Sequence, residues 1–299
     1  MTSEWPNLSD LMVSADEAAS VGLVGVPLAA GSVTPGRCDL APSALRAVLS
    51  RIGRYDVDRG RELATMLADR GDVAIAGRSI EKATGPVRKA VRDSVLSHVL
   101  TVIVGGNNAV TRPGVLGMAE ALGVGLDAVG LVTLDAHFDM RSTADGLGNG
   151  NPVRALIEDG LPGRNIAQVG LAPFANSGAM HRDALAAGNF VVTMAEVRGD
   201  GIAAAVGRSL RHVAHCSALL VDCDIDVIDR SQFPGAPGGR PGGMAVGDFF
   251  AAVGLLAGQP KVRAIDLTEW DPPLDPSDLS ALTAGRWLAE VLAGFETRN

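Results

Sequence analysis

The sequence predicts an α/β protein in which helices cover both faces of a parallel sheet. Two observations carry this. Short apolar, β-prone runs alternate with stretches of helical periodicity along almost the whole chain, which is the pattern of successive strand–helix units. Several strand-like runs then end at Gly106, Asp135, Asp224 or just before Glu269. In a covered parallel sheet these positions share one edge, the carboxyl ends of the strands, where functional groups gather.

The elements follow in order. Residues 21–26 read as the first strand, closed by Pro27, and 42–52 as a helix. Residues 73–76 read as a short strand. Helical periodicity runs over 85–100, and 101–104 follows as a strand ending in Gly105-Gly106. A helix over 112–122 leads to the strand 129–134, a Gly/Asn-rich loop at 146–151 and a helix at 152–158. Strands at 166–170 and 190–193 bracket a helix at 177–187. A helix at 202–212 precedes the strand 219–222, and a Pro/Gly-rich loop spans 233–243. The helix 246–257, the strand 262–267 and the helix 279–293 complete the chain.

The 299 residues contain no linker, repeat or low-complexity block, so 1–299 reads as one domain. A hydrophobic content of 47% is ample for a core. The net charge of −8, with no basic cluster, argues against nucleic acid as a partner. No apolar run approaches the ~18 residues of a membrane span. The opening residues, Met1 to Pro6, lack the pattern of a secretory signal. Three scattered cysteines, Cys38, Cys216 and Cys223, suit a reducing cytoplasm and read as small buried hydrophobes.

Two acidic segments stand out: Asp135-Ala136-His137-Phe138-Asp139 and Asp222-Cys223-Asp224-Ile225-Asp226, each directly after a strand-like run. Carboxylates at the ends of buried strands are costly unless something cationic neutralises them. Along extended chain, the i, i+2, i+4 spacing of Asp135, His137 and Asp139 puts the three side chains on one side, and Asp224 and Asp226 repeat the logic. Four carboxylates and one imidazole form a hard, oxygen-rich set that suits Mn²⁺ better than Zn²⁺, and four negative charges balance two divalent ions. For either segment alone, carboxylates capping a strand-end turn remain an alternative. Asp222 can orient a ligand from behind, and Asp229 reads as a turn cap.

These residues resemble the ureohydrolases: arginase, agmatinase, formimidoylglutamase and relatives. The motif Asp-Ala-His-x-Asp matches Asp135 to Asp139, and Asp-x-Asp-x-x-Asp matches Asp224, Asp226 and Asp229. Glu-x-x-Pro matches Glu269 to Pro272, and Gly-Gly-x-His aligns with Gly105-Gly106-Asn107-Asn108. The opening Gly25-Val26-Pro27 and the segment Pro42 to Arg46 extend the likeness over nearly the whole chain. The resemblance implies a three-layer α/β/α sandwich with a mainly parallel central sheet and a two-manganese site. That site holds a hydroxide that attacks the carbon of a guanidinium or formimino group. It implies metal ligation by Asn108, Asp135, His137, Asp139, Asp224 and Asp226. Asp139 would transfer protons, and Glu269 would pair with the cationic C–N group. Trimers or hexamers are common in the family.

Two departures matter. Asn108 stands where most members have a metal-binding His; an amide oxygen is a neutral, weaker ligand, so one ion is expected to bind loosely. Asn149 stands where arginases have the His that assists proton transfer; it cannot titrate, but it can hydrogen-bond substrate. Arg154 and Arg240 are candidates for binding a substrate carboxylate, the second on the Pro/Gly-rich loop. Formimidoylglutamate has two carboxylates and agmatine none, and Asn108 fits formimidoylglutamase-like members better than arginases. The expectation is therefore hydrolysis of N-formimidoyl-glutamate to glutamate and formamide. The alternatives are a urea-releasing hydrolase of agmatine or a guanidino acid, and a catalytically silent relative.

Overall fold

The computed structural model describes residues 5–298, so residues 1–4 of the segment read for a secretory signal lie outside the described residues. The elements run β1 (Met12–Ser14), β2 (Val21–Val26), α1 (Ala41–Val48), β3 (Tyr55–Asp56), β4 (Arg61–Glu62) and β5 (Leu67–Asp72). Then come α2 (Ile80–Ser97), β6 (Leu100–Gly105), α3 (Thr111–Leu122), β7 (Val129–Leu134), α4 (Pro152–Glu158) and β8 (Ile166–Leu171). The chain continues through α5 (Gly178–Ala187), β9 (Phe190–Thr193), α6 (Met194–Asp200), α7 (Ile202–His212), β10 (Ala218–Asp224), α8 (Val246–Ala257), β11 (Val262–Thr268) and α9 (Leu279–Phe295).

Nine strands form one sheet in the order β1-β5-β2-β6-β11-β10-β7-β8-β9. Every pairing in it is parallel; β3 and β4 form a separate antiparallel hairpin. Alternate strand residues enter two cores. Val102, Val132 and Val221 pack with Leu45, Val197, Val206, Phe249 and Leu288 from α1, α6, α7, α8 and α9. Ile103, Leu131 and Leu220 pack on the other face with Val87, Val115, Val153 and Ala184 from α2 to α5. Helices on both faces make the three-layer α/β/α sandwich with a parallel sheet that the sequence led us to expect.

Three expectations need correction. Residues 73–76 are not a strand; the strand is β5, just before them, and only Val73 still reaches the sheet, its N–H bonding Gly25 O at 2.8 Å. Asp69, Arg70 and Asp72 gave β5 a polar look, and its two aspartates serve ion pairs at its end. The helix expected from residue 85 begins at Ile80, where Ser79 caps it by accepting the Lys82 N–H, so Pro86 sits inside rather than in the first turn. The acidic segment after β7 is not extended to its end, because Asp139 takes φ +50°.

Four adjacent central strands, β6, β11, β10 and β7, deliver the residues that matter. Beside the end of β6, Gly106 lies against the backbone of Leu28, where a Cβ would come within 1.8 Å of Leu28 O. Only glycine fits that approach.

Candidate metal centre

The carboxyl ends of β7 and β10 are neighbours, so their acidic tails converge. Asp135, His137 and Asp226 bring ligand atoms within 4.8 Å of one another, and so do Asp135, Asp139 and Asp224. Asp135 belongs to both sets, as expected of a carboxylate bridging two ions. The β10 pair is set by a short turn: Asp224 ends the strand and its carboxylate accepts the Asp226 N–H at 2.9 Å. Asp139 joins the set through its left-handed backbone, not through strand alternation. The Asp139 and Glu269 values, φ +50° and +60°, are among three positive φ at described non-glycine residues. Each costs about 1–3 kcal/mol, a strain that collects at functional sites.

The donor set fits divalent cations. Asp135 Oδ2 and Asp226 Oδ1 are buried with no hydrogen-bond partner. His137 Nδ1 lies 3.5 Å from Asp135 Oδ1 and 3.0 Å from Asp226 Oδ2. Asp226 above all, with Asp135, pushes the imidazole up to about 12, against the effect of burial. Burial raises Asp135 to about 7 and drives Asp139 and Asp224 well above the carboxylate range, with neighbouring acids adding to it. Burial also works to raise Asp226, yet the charge on His137 and hydrogen bonds from His137 and Asp224 outweigh it and hold that carboxyl low. Among the described residues no lysine or arginine pairs with these acids, so imidazolium is the one positive charge they meet. Gly238 closes over them; a Cβ there would lie 2.0 Å from Asp226 Oδ2.

Glu269, just past β11, faces the same space. Its Oε1 accepts the Asn108 N–H at 2.7 Å and Asn149 Nδ2 at 3.0 Å, and Oε2 has no hydrogen bond among the described residues. Burial lifts this carboxyl to about 7. Asn149 also accepts the Val33 N–H at 2.8 Å, tying the loop after β2 to the site. These acids open into a cavity of about 330 Å³ whose wall includes Arg141 and Arg240. Arg240 Nη1 donates to the carbonyls of Gly238 and Gly239 at 2.9 and 3.2 Å. Neither arginine is paired with an acid among the described residues.

Two site expectations change. Asn108 donates its amide N–H to Asp139 Oδ2 at 2.6 Å, and its oxygen accepts from Thr111 and Thr268 at 2.8 and 3.2 Å. In this arrangement it orients a carboxylate and does not present an oxygen to a metal. Arg154 is outside the cavity: its guanidinium holds Met140 O and pairs with Asp183, bracing the loop after His137. Arg141 was missed by sequence reading; its place two residues after Asp139 was the available signal. Asp229 caps the 229–242 loop, accepting from Ser231 and the Gly242 N–H.

Residues 19–294 match the model of the arginase family. The chain belongs to that family. It is 29% identical to the formimidoylglutamase of Bacillus subtilis (strain 168), over 97% of this chain and 92% of that one. The crystal structure of that enzyme superposes with a TM-score of 0.93 at 28% identity, covering 100% and 94% of the two chains. A formimidoylglutamase of Halobacterium salinarum is 32% identical over 92% of this arginase-family chain and 87% of its own length. The structure of Trypanosoma cruzi formiminoglutamase with Mn²⁺ shares the fold, with a TM-score of 0.90 at 22% identity, covering 99% of this chain and 100% of that one.

Proposed function

We propose that this arginase-family chain is a two-manganese hydrolase that converts N-formimidoyl-L-glutamate and water to glutamate and formamide. One observation carries the reading: a single cavity holds an acid cluster whose one cationic partner among the described residues is His137, and on its wall two arginines with no acid partner among those residues. The substrate has the complementary form, a cationic formimino group at one end and two carboxylates at the other. When bound, manganese supplies a nucleophile from water at neutral pH and neutralises the acids that hold it.

The protein's own groups do the rest. Asp135, His137, Asp139, Asp224 and Asp226 would hold the ions. Asp135 belongs to both candidate sets and would serve both ions. Glu269 Oε2 pairs with the formimino cation and orients its carbon over the metals. Asp139, with Oδ2 held by Asn108, keeps Oδ1 to take the nucleophile's proton and return it to the departing glutamate amine. Asn149 contributes by holding Glu269. Arg141 and Arg240 bind the substrate carboxylates, which selects against agmatine.

We also propose one domain over 1–299, a homo-oligomer (trimer or hexamer) and a cytoplasmic location. One continuous sheet and three buried free cysteines support the first and last of these readings. No helix among the described residues is long and apolar enough to cross a membrane. The test of function is a panel with added Mn²⁺: formimidoylglutamate, agmatine, arginine and guanidinobutyrate. Formamide from the first alone supports the reading. Urea from a guanidino compound would replace it, and no turnover with Mn²⁺ present would mark a silent relative.

A further inference from the structure

We propose that Asn176 is a positioning residue of the metal centre, gripping the backbone on both sides of His137 so that the imidazole stays aimed at Asp135 and Asp226. This rests on the two-metal reading above. Asn176 lies beyond β8, far in sequence from the ligands. Its Oδ1 accepts the Phe138 N–H at 2.9 Å, and its Nδ2 donates to Ala136 O at 2.9 Å and to Ala172 O at 3.5 Å. One planar amide therefore pairs with the residues before and after His137, as a neighbouring strand would.

The rest of the loop shows why that grip matters. The His137 N–H is taken by Asp135 Oδ1 at 2.6 Å. Phe138 O accepts from Gln168 Nε2 at 3.0 Å, and Gln168 is itself held by Asn189 Nδ2 at 2.9 Å. Asp139 O and Met140 O are taken by the N–H and Nε of Arg154 at 3.2 and 3.1 Å. The Phe138 N–H has Asn176 as its partner, and the chain turns left-handed at the next residue. Without that contact the Phe138 N–H has no partner, and the backbone that carries the imidazole keeps only its flanking holds, the Ala172 N–H on Ala136 O at 2.9 Å and Gln168 on Phe138 O. Groups that orient a metal ligand in this way set affinity even though they never touch the ion. The side chain needs both a donor and an acceptor. Leucine has the size and neither function, and aspartate keeps the acceptor but sets an oxygen against Ala136 O.

The test is manganese titration of metal-stripped wild type, N176L, N176D and H137A, read by calorimetry and by the electron paramagnetic resonance of bound Mn²⁺, with thermal melts of the metal-free proteins alongside. H137A identifies the binding step that depends on the imidazole. In N176L and N176D that step weakens by roughly 10–100-fold, while the other step stays within a fewfold of wild type. A merely structural Asn176 would lower the melting temperature and leave both steps unchanged. If N176L does not fold, N176D decides. Wild-type affinity for both ions in the folded variants overturns the role of Asn176 alone; absence of manganese binding by the wild type overturns the metal reading with it.

Discussion

Two clusters of carboxylates, one beside β5 and one at the ends of the central strands, are treated in opposite ways. Beside β5, Arg46 holds Asp69 through two hydrogen bonds of 2.7 and 2.8 Å and Asp72 through a third of 2.6 Å. Those acids meet their counter-charge within the chain, and Asp69 sits below the carboxylate range: its bonds to Arg46 and Gly71 outweigh its burial. At the ends of β7, β10 and β11, a larger set of acids has one imidazole and no guanidinium or ammonium ion pair among the described residues. The first arrangement is complete as folded. The second leaves its acids to be neutralised by ions from outside, at a cost in stability that the rest of the fold offsets.

The largest expected break comes from Asp135 and Asp139. Asp135→Asn removes the ligand common to both sets, and turnover and both manganese-binding steps should vanish. Asp139→Asn should lower turnover roughly 10²–10⁴-fold while the circular dichroism spectrum is unchanged. An undiminished rate would remove Asp139 from the chemistry.

Next in size is the link between metal, pH and stability. In metal-free protein Asp135 and Glu269 hold their protons up to about 7, above the ~4 of unfolded carboxyls. The unfolded chain therefore releases those protons first, and stability should fall as pH rises from about 4 to about 7. Manganese at a hundred times its Kd should add about 2.7 kcal/mol per site at neutral pH and flatten that fall. The Arg46 region has the opposite sign. Lowering Asp69 contributes stability that is present above the ordinary carboxyl value and lost as pH falls through the folded one. Melts across pH, with and without Mn²⁺, separate the two regions; a metal-free protein that gains stability from pH 4 to 7 would contradict the contrast.

Smaller effects sharpen it further. Arg141→Ala and Arg240→Ala should each raise KM about 10–100-fold, the ~1.5–3 kcal/mol of a charge-assisted hydrogen bond, with kcat little changed. Asp69→Asn should cost about 1 kcal/mol in denaturant melts and leave manganese affinity untouched.

The same contrast explains what the sequence made legible. Buried central strands such as β7 and β10 declare themselves because their apolar side chains have one use. The peripheral β1 and the β3–β4 hairpin are too short to show a period, α6 was hidden against β9, and β5 was masked by the charged residues of its ion pairs. Ligands at strand ends were visible because burying several carboxylates together there costs too much without a cation. Arg141 and Arg154 flank the same loop, yet which one faces the cavity depends on its left-handed turn at Asp139, which no spacing encodes. Asn176 was illegible for another reason: it acts through backbone contacts, so its residue type carries no chemical signature.

The most direct test of the central claim is to count manganese in the stripped protein by titration, with paramagnetic resonance distinguishing single from coupled ions. Two ions per chain, spin-coupled and both lost in Asp135→Asn, is the result expected here. A wild-type protein that takes up no manganese at millimolar concentration would contradict it.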